Sequence, residues 1–327
     1  MKTSIDLAQA RDLLRTREDL LESGHAAREI RALVADRRLI RVRRDRYIDA
    51  TAHDDLWGEG RHLVAVVAAH LNADPPGPVF WGPSAAVLLG LPLYRLSPDE
   101  VHTVVLGARH GRTRAHIVQH GVPLDDTDIV DVGGLRCTSL ERTVLDLACT
   151  TSPGTALAAA DAALRRVAVE RHHQDPDRAT DWHRRMSLRA AAVHCRGVRR
   201  ARWILDFADG RAQLPGESVS RLHLHRIGFT GLELQPHVVG SEGDHYWMDF
   251  GFPRNRVFGE FDGQGKYLDP AVRGMRRVED AVLAEKRRED DVRGVTGWRF
   301  ARWEDRHIRT PDALSNRLQA FGVRPPA

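Results

Sequence analysis

Apolar positions in the first fifty residues recur at helical spacing and then switch to short runs broken by charge. Leu7, Ala10, Leu13 and Leu14 make one stripe, and Thr16 stands where it can cap a second helix whose N3 position is Asp19, with Leu20 and Leu21 turned inward. Ser23-Gly24-His25 supplies a turn. A third helix over about Ala26 to Arg37 buries Ile30, Leu33 and Val34, while Arg28, Arg31, Ala35 and Arg38 line another face. Leu39-Ile40-Arg41-Val42-Arg43, Arg44-Asp45 and Arg46-Tyr47-Ile48 then read as a basic hairpin. The pattern predicts a winged helix-turn-helix over residues 1–55.

Residues 56–168 predict a middle α/β segment. Val64, Val66 and Val67 belong to an apolar helix, and Gly82-Pro83-Ser84 caps another that runs through Leu91. Val101 to Leu106 and Ile117-Val118 read as strands, and Thr138 to Leu147 as a capped helix. Residues 169–205 are expected to be a linker followed by a basic helix carrying Arg196, Arg199, Arg200 and Arg202. The histidines at 172, 173 and 183 lack a recurring ligand spacing, so a flexible linker is expected there rather than a metal site. The fold class expected for the whole chain is mixed α/β, with a last domain over residues 206–327.

That last domain holds the candidate chemistry. Tyr246-Trp247-Met248-Asp249-Phe250 and Val257-Phe258-Gly259-Glu260-Phe261-Asp262 are apolar runs separated by Pro253-Arg254-Asn255-Arg256. A two-residue Arg254-Asn255 loop would set Asp249 directly opposite Glu260 on one face. Like charges so opposed, at a Cβ distance of roughly 4.5–5.5 Å, destabilise a hairpin unless a cation lies between them. Asp249 and Glu260 are therefore candidate metal ligands, and their oxygen donors suit Mg²⁺ or Mn²⁺. Glu217 opens a helical pattern in Pro215 to Leu224, and Lys286 lies in a downstream helix over Glu279 to Arg293. A divalent ion would polarise a scissile phosphate and acidify an attacking water, and a lysine would stabilise developing negative charge.

Charge changes this picture more than bulk composition does. The net charge is only +4, yet the pI near 9.2 and the clustering of arginine on the third helix and hairpin point to a polyanionic partner, with Arg28, Arg31, Arg41 and Arg43 as candidate DNA contacts. Lysine occurs only at Lys2, Lys266 and Lys286. Cys137, Cys149 and Cys195 are odd in number and widely spaced, which argues against a disulfide framework or a paired-cysteine zinc site. A phosphate-binding Gly-rich loop with Lys-Ser/Thr and a Gly-x-Ser-x-Gly elbow are both missing, which argues against an ATPase or a serine hydrolase of that type. No apolar run approaches membrane-spanning length and the start of the chain lacks a signal-peptide core, so a cytoplasmic protein without a membrane partner is expected.

The order Glu217, Asp249, Glu260-Phe261-Asp262-Gly263, Glu285-Lys286-Arg287-Arg288-Glu289-Asp290 and Gly297-Trp298-Arg299-Phe300 resembles the PD-(D/E)XK nuclease superfamily, in particular its branch similar to very-short-patch-repair endonucleases. The resemblance implies a restriction-endonuclease-like fold over residues 206–327 in which Glu217, Asp249 and Glu260 approach one Mg²⁺. The superfamily's lysine, two residues after the second acid, falls on Asp262 here. The candidate catalytic set is Glu217, Asp249, Glu260, Asp262 and Lys286, with Lys266 as the other lysine available for the cationic role. Residues 1–55 resemble the winged-helix domain of AbiEi-type antitoxins of type IV toxin–antitoxin systems, through Arg17-Glu18-Asp19-Leu20-Leu21, the third helix and Leu39-Ile40-Arg41-Val42-Arg43. That resemblance implies a DNA-binding repressor.

Three functions are compatible with these residues. The first is a duplex-DNA-binding protein with a Mg²⁺-dependent endonuclease domain. The second is an AbiEi-like repressor or antitoxin, with a toxin as partner and a catalytically inactive nuclease fold. The third is a structural adaptor for a toxin or a nucleic-acid complex.

Overall fold

The structure, a computed structural model, describes residues 2–105, 113–114, 116–263 and 278–326. The chain is mixed α/β and divides into two compact units, residues 1–159 with 188–203 and residues 160–187 with 204–327. No helix among the described residues is long and apolar enough to cross a membrane.

In the first unit, helices Leu7–Asp12, Arg17–Glu22 and Ala27–Ala35 surround a three-stranded antiparallel sheet in which Arg46–Asp49 lies between Arg15–Thr16 and Leu39–Arg43. This helix–strand–helix–helix–strand–strand order is the one expected of a winged helix. Thr16 and Asp19 close the expected capping box: Asp19 N–H donates to Thr16 Oγ1 at 3.0 Å and Thr16 N–H to Asp19 Oδ2 at 2.7 Å. Leu20, Ile30, Leu39 and Tyr47 form the core, with Leu33 and Val34 packed against it.

The winged helix is fastened to the middle segment. Arg46 Nε donates to Asn72 Oδ1 at 3.0 Å and Asn72 Nδ2 to the Arg44 carbonyl at 2.6 Å, tying the hairpin to the end of helix Gly58–Leu71. That helix buries Val64, Val66 and Val67 completely. Beyond it lies a six-stranded sheet in the order Thr113–Arg114, Ile117–His120, Val101–Val104, Val79–Phe80, Leu135–Thr138, Ile129–Val132. Ser139 caps helix Leu140–Thr150, which presents Arg142 to Asp128 at 2.9 Å and to Asp146 at 3.1 Å.

The stretch expected to be a flexible linker is regular structure. Val169–Glu170 pairs with His173–Gln174 in a hairpin, followed by helices Pro176–Ala192 and Val198–Phe207. The reason lies in Ala179, Trp182, Met186 and Ala190, which repeat at helical spacing and are all buried. The surrounding arginines and histidines mask this stripe when polarity alone is considered.

The second unit is built on a four-stranded sheet in the order Glu233–Leu234, Phe250–Phe252, Val257–Asp262, Arg299–Glu304. The first two pairings are antiparallel and the last is parallel, with helix Val278–Thr296 in the crossover. Helices Pro215–Arg226 and Pro311–Gln319 and a separate two-stranded ribbon, His237–Val239 with His245–Trp247, complete it.

Candidate functional site

The hairpin register is the expected one, although the turn is not. Phe250 faces Gly259, Gly251 faces Phe258 and Phe252 faces Val257, and this register, continued one residue past the strand, sets Asp249 toward Glu260. The loop is four residues rather than two: a 3-10 turn over Pro253–Asn255 followed by Arg256 in the left-handed region at φ 51°. Four-residue loops built on a single helical turn keep the same pairing sum, which is why the register holds despite the different turn type.

Asp249 is anchored by the facing strand, with Oδ2 accepting the Phe261 N–H at 2.7 Å. Glu217 enters from the first turn of helix Pro215–Arg226, which starts with proline at a position where a missing N–H costs nothing. Glu217 is 2% exposed and its carboxylate accepts the Gln213 N–H at 2.8 Å. Gly216 makes this approach possible, because a Cβ there would overlap the Phe261 ring.

Burial raises the pKa of all three carboxyls. Burial, and then the Glu260 charge, push Asp249 up to about 7. Burial, and then Asp249, raise Glu217 well above the ordinary range. Burial also raises Glu260 and Asp262, against the pull of Arg288 on the first and Arg302 on the second.

Those two arginines are the cations the structure brings to Glu260 and Asp262, while Arg165 acts on Glu217. Arg288 Nη2 donates to Glu260 Oε1 at 2.8 Å and to Glu285 Oε1 at 2.7 Å. Arg302 lies opposite Glu260 in the parallel register, donates to Asp262 Oδ1 at 3.2 Å and pairs with Glu285. Burial would raise Glu285, but its hydrogen bonds to Arg288 and Arg302 hold it at about 2.

Glu217, Asp249, Glu260 and Asp262 are thus brought into one neighbourhood, and Lys286 is not placed with them. Lys286 is exposed on helix Val278–Thr296. It is two positions from Arg288, about 200° around the helix, whereas Glu285, three positions before Arg288, shares its face. Lys266 lies outside the described residues. Among the described residues, no group of three His, Cys, Asp or Glu side chains is arranged to hold a metal ion. The donor chemistry is nevertheless that of a hard dication: all-oxygen, crowded, and carrying protons that such an ion would displace.

Of the candidate DNA contacts, Arg28, Arg31 and Arg41 are exposed on the third helix and the hairpin. Arg43 is half-buried and donates to the His116 carbonyl at 3.5 Å, and burial lowers its pKa. Among the histidines near the acids, His223 is buried and bonds the Ile308 carbonyl at 3.2 Å, a packing role. His237 and His245 lie on the two-stranded ribbon, against Trp247.

Sequence reasoning missed Arg288 and Arg302. Arg288 belongs to a segment that carries the nuclease resemblance, but only helical phase marks it, and Arg302, two residues beyond the last such segment, depends on a parallel pairing that no local pattern announces. Its one local trace is an arginine between buried strand neighbours, Phe300 and Ala301 on one side and Trp303 on the other.

No protein-family model matches the chain. The chain is similar to the uncharacterized proteins Rv2248 and MT2308 of two Mycobacterium tuberculosis strains, at 29% identity over 212 residues that cover 63% of this chain and 73% of each relative.

Proposed function

We propose that this chain acts on DNA, with a divalent-metal-dependent phosphodiesterase centre formed by Glu217, Asp249 and Glu260 and a duplex-binding surface on the winged helix. The observation that carries this reading is the convergence of three buried carboxyls, Glu217 from a helix, Glu260 from a strand and Asp249 just before the facing strand, each of whose pKa values burial raises. Such an arrangement is costly in a purely structural role and is relieved by a bound Mg²⁺ or Mn²⁺. When bound, the ion would supply Lewis-acid polarisation of a phosphate and a water of lowered pKa. Asp249 and Glu260 would ligate it, Glu217 would complete the acid set, and Asp262 at the strand end would stay paired to Arg302. Arg288, anchored by Glu285, is the preorganised cation for negative charge developing on a phosphate oxygen.

The experiment is cleavage of plasmid and single-stranded DNA by the full chain with Mg²⁺, Mn²⁺ or EDTA, with Asp249→Asn as control. Metal-dependent nicking lost in Asp249→Asn is the expected result. Cleavage that persists in EDTA or in Asp249→Asn would overturn it.

A specific observation favours a second reading, an antitoxin-like repressor with a silent nuclease fold and a toxin as partner. Arg288 and Arg302 already neutralise Glu260, Glu285 and Asp262 without any metal. Duplex binding with no cleavage in either metal would select it.

A further inference from the structure

Beside the acids, the second unit holds an open pocket of about 800 Å³ between the Val169–Gln174 hairpin and the two-stranded ribbon. The volume falls within the range of small-molecule and cofactor sites, roughly 300–1,000 Å³. One wall, formed by His172, Trp247 and His237, is a ladder of rings that His245 extends beyond the pocket. His172 stacks on Trp247 at 4.2 Å and 11°, Trp247 on His237 at 4.8 Å, and His237 on His245 at 4.9 Å and 10°. The three histidines are exposed and Trp247 is half-buried, so this is a surface of flat rings rather than core packing.

The rest of the lining is mixed, with Leu234 and Pro176 beside Glu170, Arg211 and Gln235, and Gln213 stands behind it. Gln213 Nε2 donates to His172 Nδ1 at 3.2 Å and to Gln235 Oε1 at 2.9 Å. Gln235 is nearly buried, faces the pocket, and its amide nitrogen makes no hydrogen bond among the described residues. Arg171 stands at the rim, exposed, without an ion pair among the described residues. Two links tie the pocket to the acids. The Gln213 N–H bonds the Glu217 carboxylate, and the Gln235 N–H donates to the Asp249 carbonyl at 3.2 Å.

We propose that this pocket binds an unpaired nucleobase of single-stranded DNA, stacked on the Trp247–histidine ladder, with the Gln235 amide on the base edge and Arg171 on an adjoining phosphate. Flat rings with a polar edge and a cation at the rim match a nucleotide's three chemical parts: a π-face, a hydrogen-bonding edge and an anion. A peptide would use the rings but not the combination of amide and rim arginine. The choice of DNA rests on the phosphodiester reading of the neighbouring acids, whereas the ring and amide geometry does not.

The test is equilibrium binding in EDTA of the full chain to fluorescein-labelled dT12, rU12 and a 12-base-pair duplex, read by anisotropy. His172→Ala and Trp247→Ala should weaken dT12 binding roughly tenfold each, the scale of one lost base stack, and leave duplex binding unchanged. Trp247→Phe, which keeps a stacking face, should restore most of the affinity and guards against a folding defect in Trp247→Ala. Arg171→Ala should lower the salt slope for dT12 by about 0.7, one phosphate on a single strand. Wild-type affinity for dT12 in His172→Ala and Trp247→Ala would overturn the proposal, as would binding of rU12 in preference to dT12. Because the assay contains no metal, its failure is distinct from failure of the cleavage assay.

Discussion

Arg302 lies directly across the parallel strand pair from Glu260, with Nη2 3.8 Å from Glu260 Oε2 and a second nitrogen 3.2 Å from Asp262. With Arg288 on the other side of the same carboxylate, it makes a guanidinium clamp where the sequence suggested a lysine. Arg288→Met should therefore tighten Mn²⁺ binding roughly tenfold, by removing one competing charge at an effective dielectric near 20. The same change should slow cleavage about 10²–10³-fold, the usual cost of one electrostatic donor to the transition state. Lys286→Met should alter neither. Calorimetry and single-turnover cleavage on the same three proteins separate the two effects, and a loss confined to Lys286→Met would return the role to the lysine.

The Asp249 site and the His62–His120 cluster should respond to pH in opposite directions. Asp249 titrates near 7 in the folded protein against an ordinary 3.8, so the folded state binds the extra proton and stability falls as pH rises from about 4 to about 7. His62 and His120 are held at about 4 against an ordinary 6.5, by burial and then by His102. There the unfolded state binds the extra protons, and stability falls as pH drops from about 6.5 to about 4. Native-state amide exchange at about pH 5 and about pH 7, corrected for intrinsic rates, should show the strand at 257–262 better protected at the lower pH and the strand at 101–104 at the higher. Asp249→Asn should flatten the first dependence and His62→Gln should reduce the second.

Gly216 controls the acids without carrying charge. Gly216→Ala forces its new methyl against the Phe261 ring, and Phe261 is the residue whose N–H holds Asp249. Overpacking of this kind costs about 1–3 kcal/mol, and metal affinity should fall with stability. Gly294→Ala has nothing within 4 Å of the added atom, lies within helix Val278–Thr296, and should stabilise by about 0.5–1 kcal/mol. Urea denaturation of both proteins checks the pair; equal behaviour would contradict the close approach at Gly216.

On the winged helix, the four candidate arginines should divide three to one. Arg28→Ala, Arg31→Ala and Arg41→Ala should each weaken duplex binding at every sequence and lower the salt slope by about 0.9, one phosphate contact. Arg43→Ala should chiefly lower thermal stability, because its guanidinium is half-buried against the His116 carbonyl. Anisotropy titrations across a salt series, with melting curves beside them, distinguish the two outcomes.

What the sequence determined by itself was everything set by near neighbours. The Thr16–Asp19 capping box, the three N-terminal helices, the start of helix Pro215–Arg226 and the facing of Asp249 with Glu260 all arise from spacing within a few residues, and each was legible. Tertiary structure decided what arrives from elsewhere. Arg302 reaches Glu260 only because its strand joins in parallel through a crossover, where separation in sequence carries no register information. Arg288 rather than Lys286 faces the acids because the phase of a helix is set by what it packs on, and two positions along it point to different sides. The ring pocket depends on a hairpin near residue 172 meeting a ribbon near residue 247, in a stretch whose charge hid the buried stripe of Trp182 and Met186. Local chemistry was readable because hydrogen-bonding and pleat periods are short, whereas the partners of a buried charge are chosen by packing.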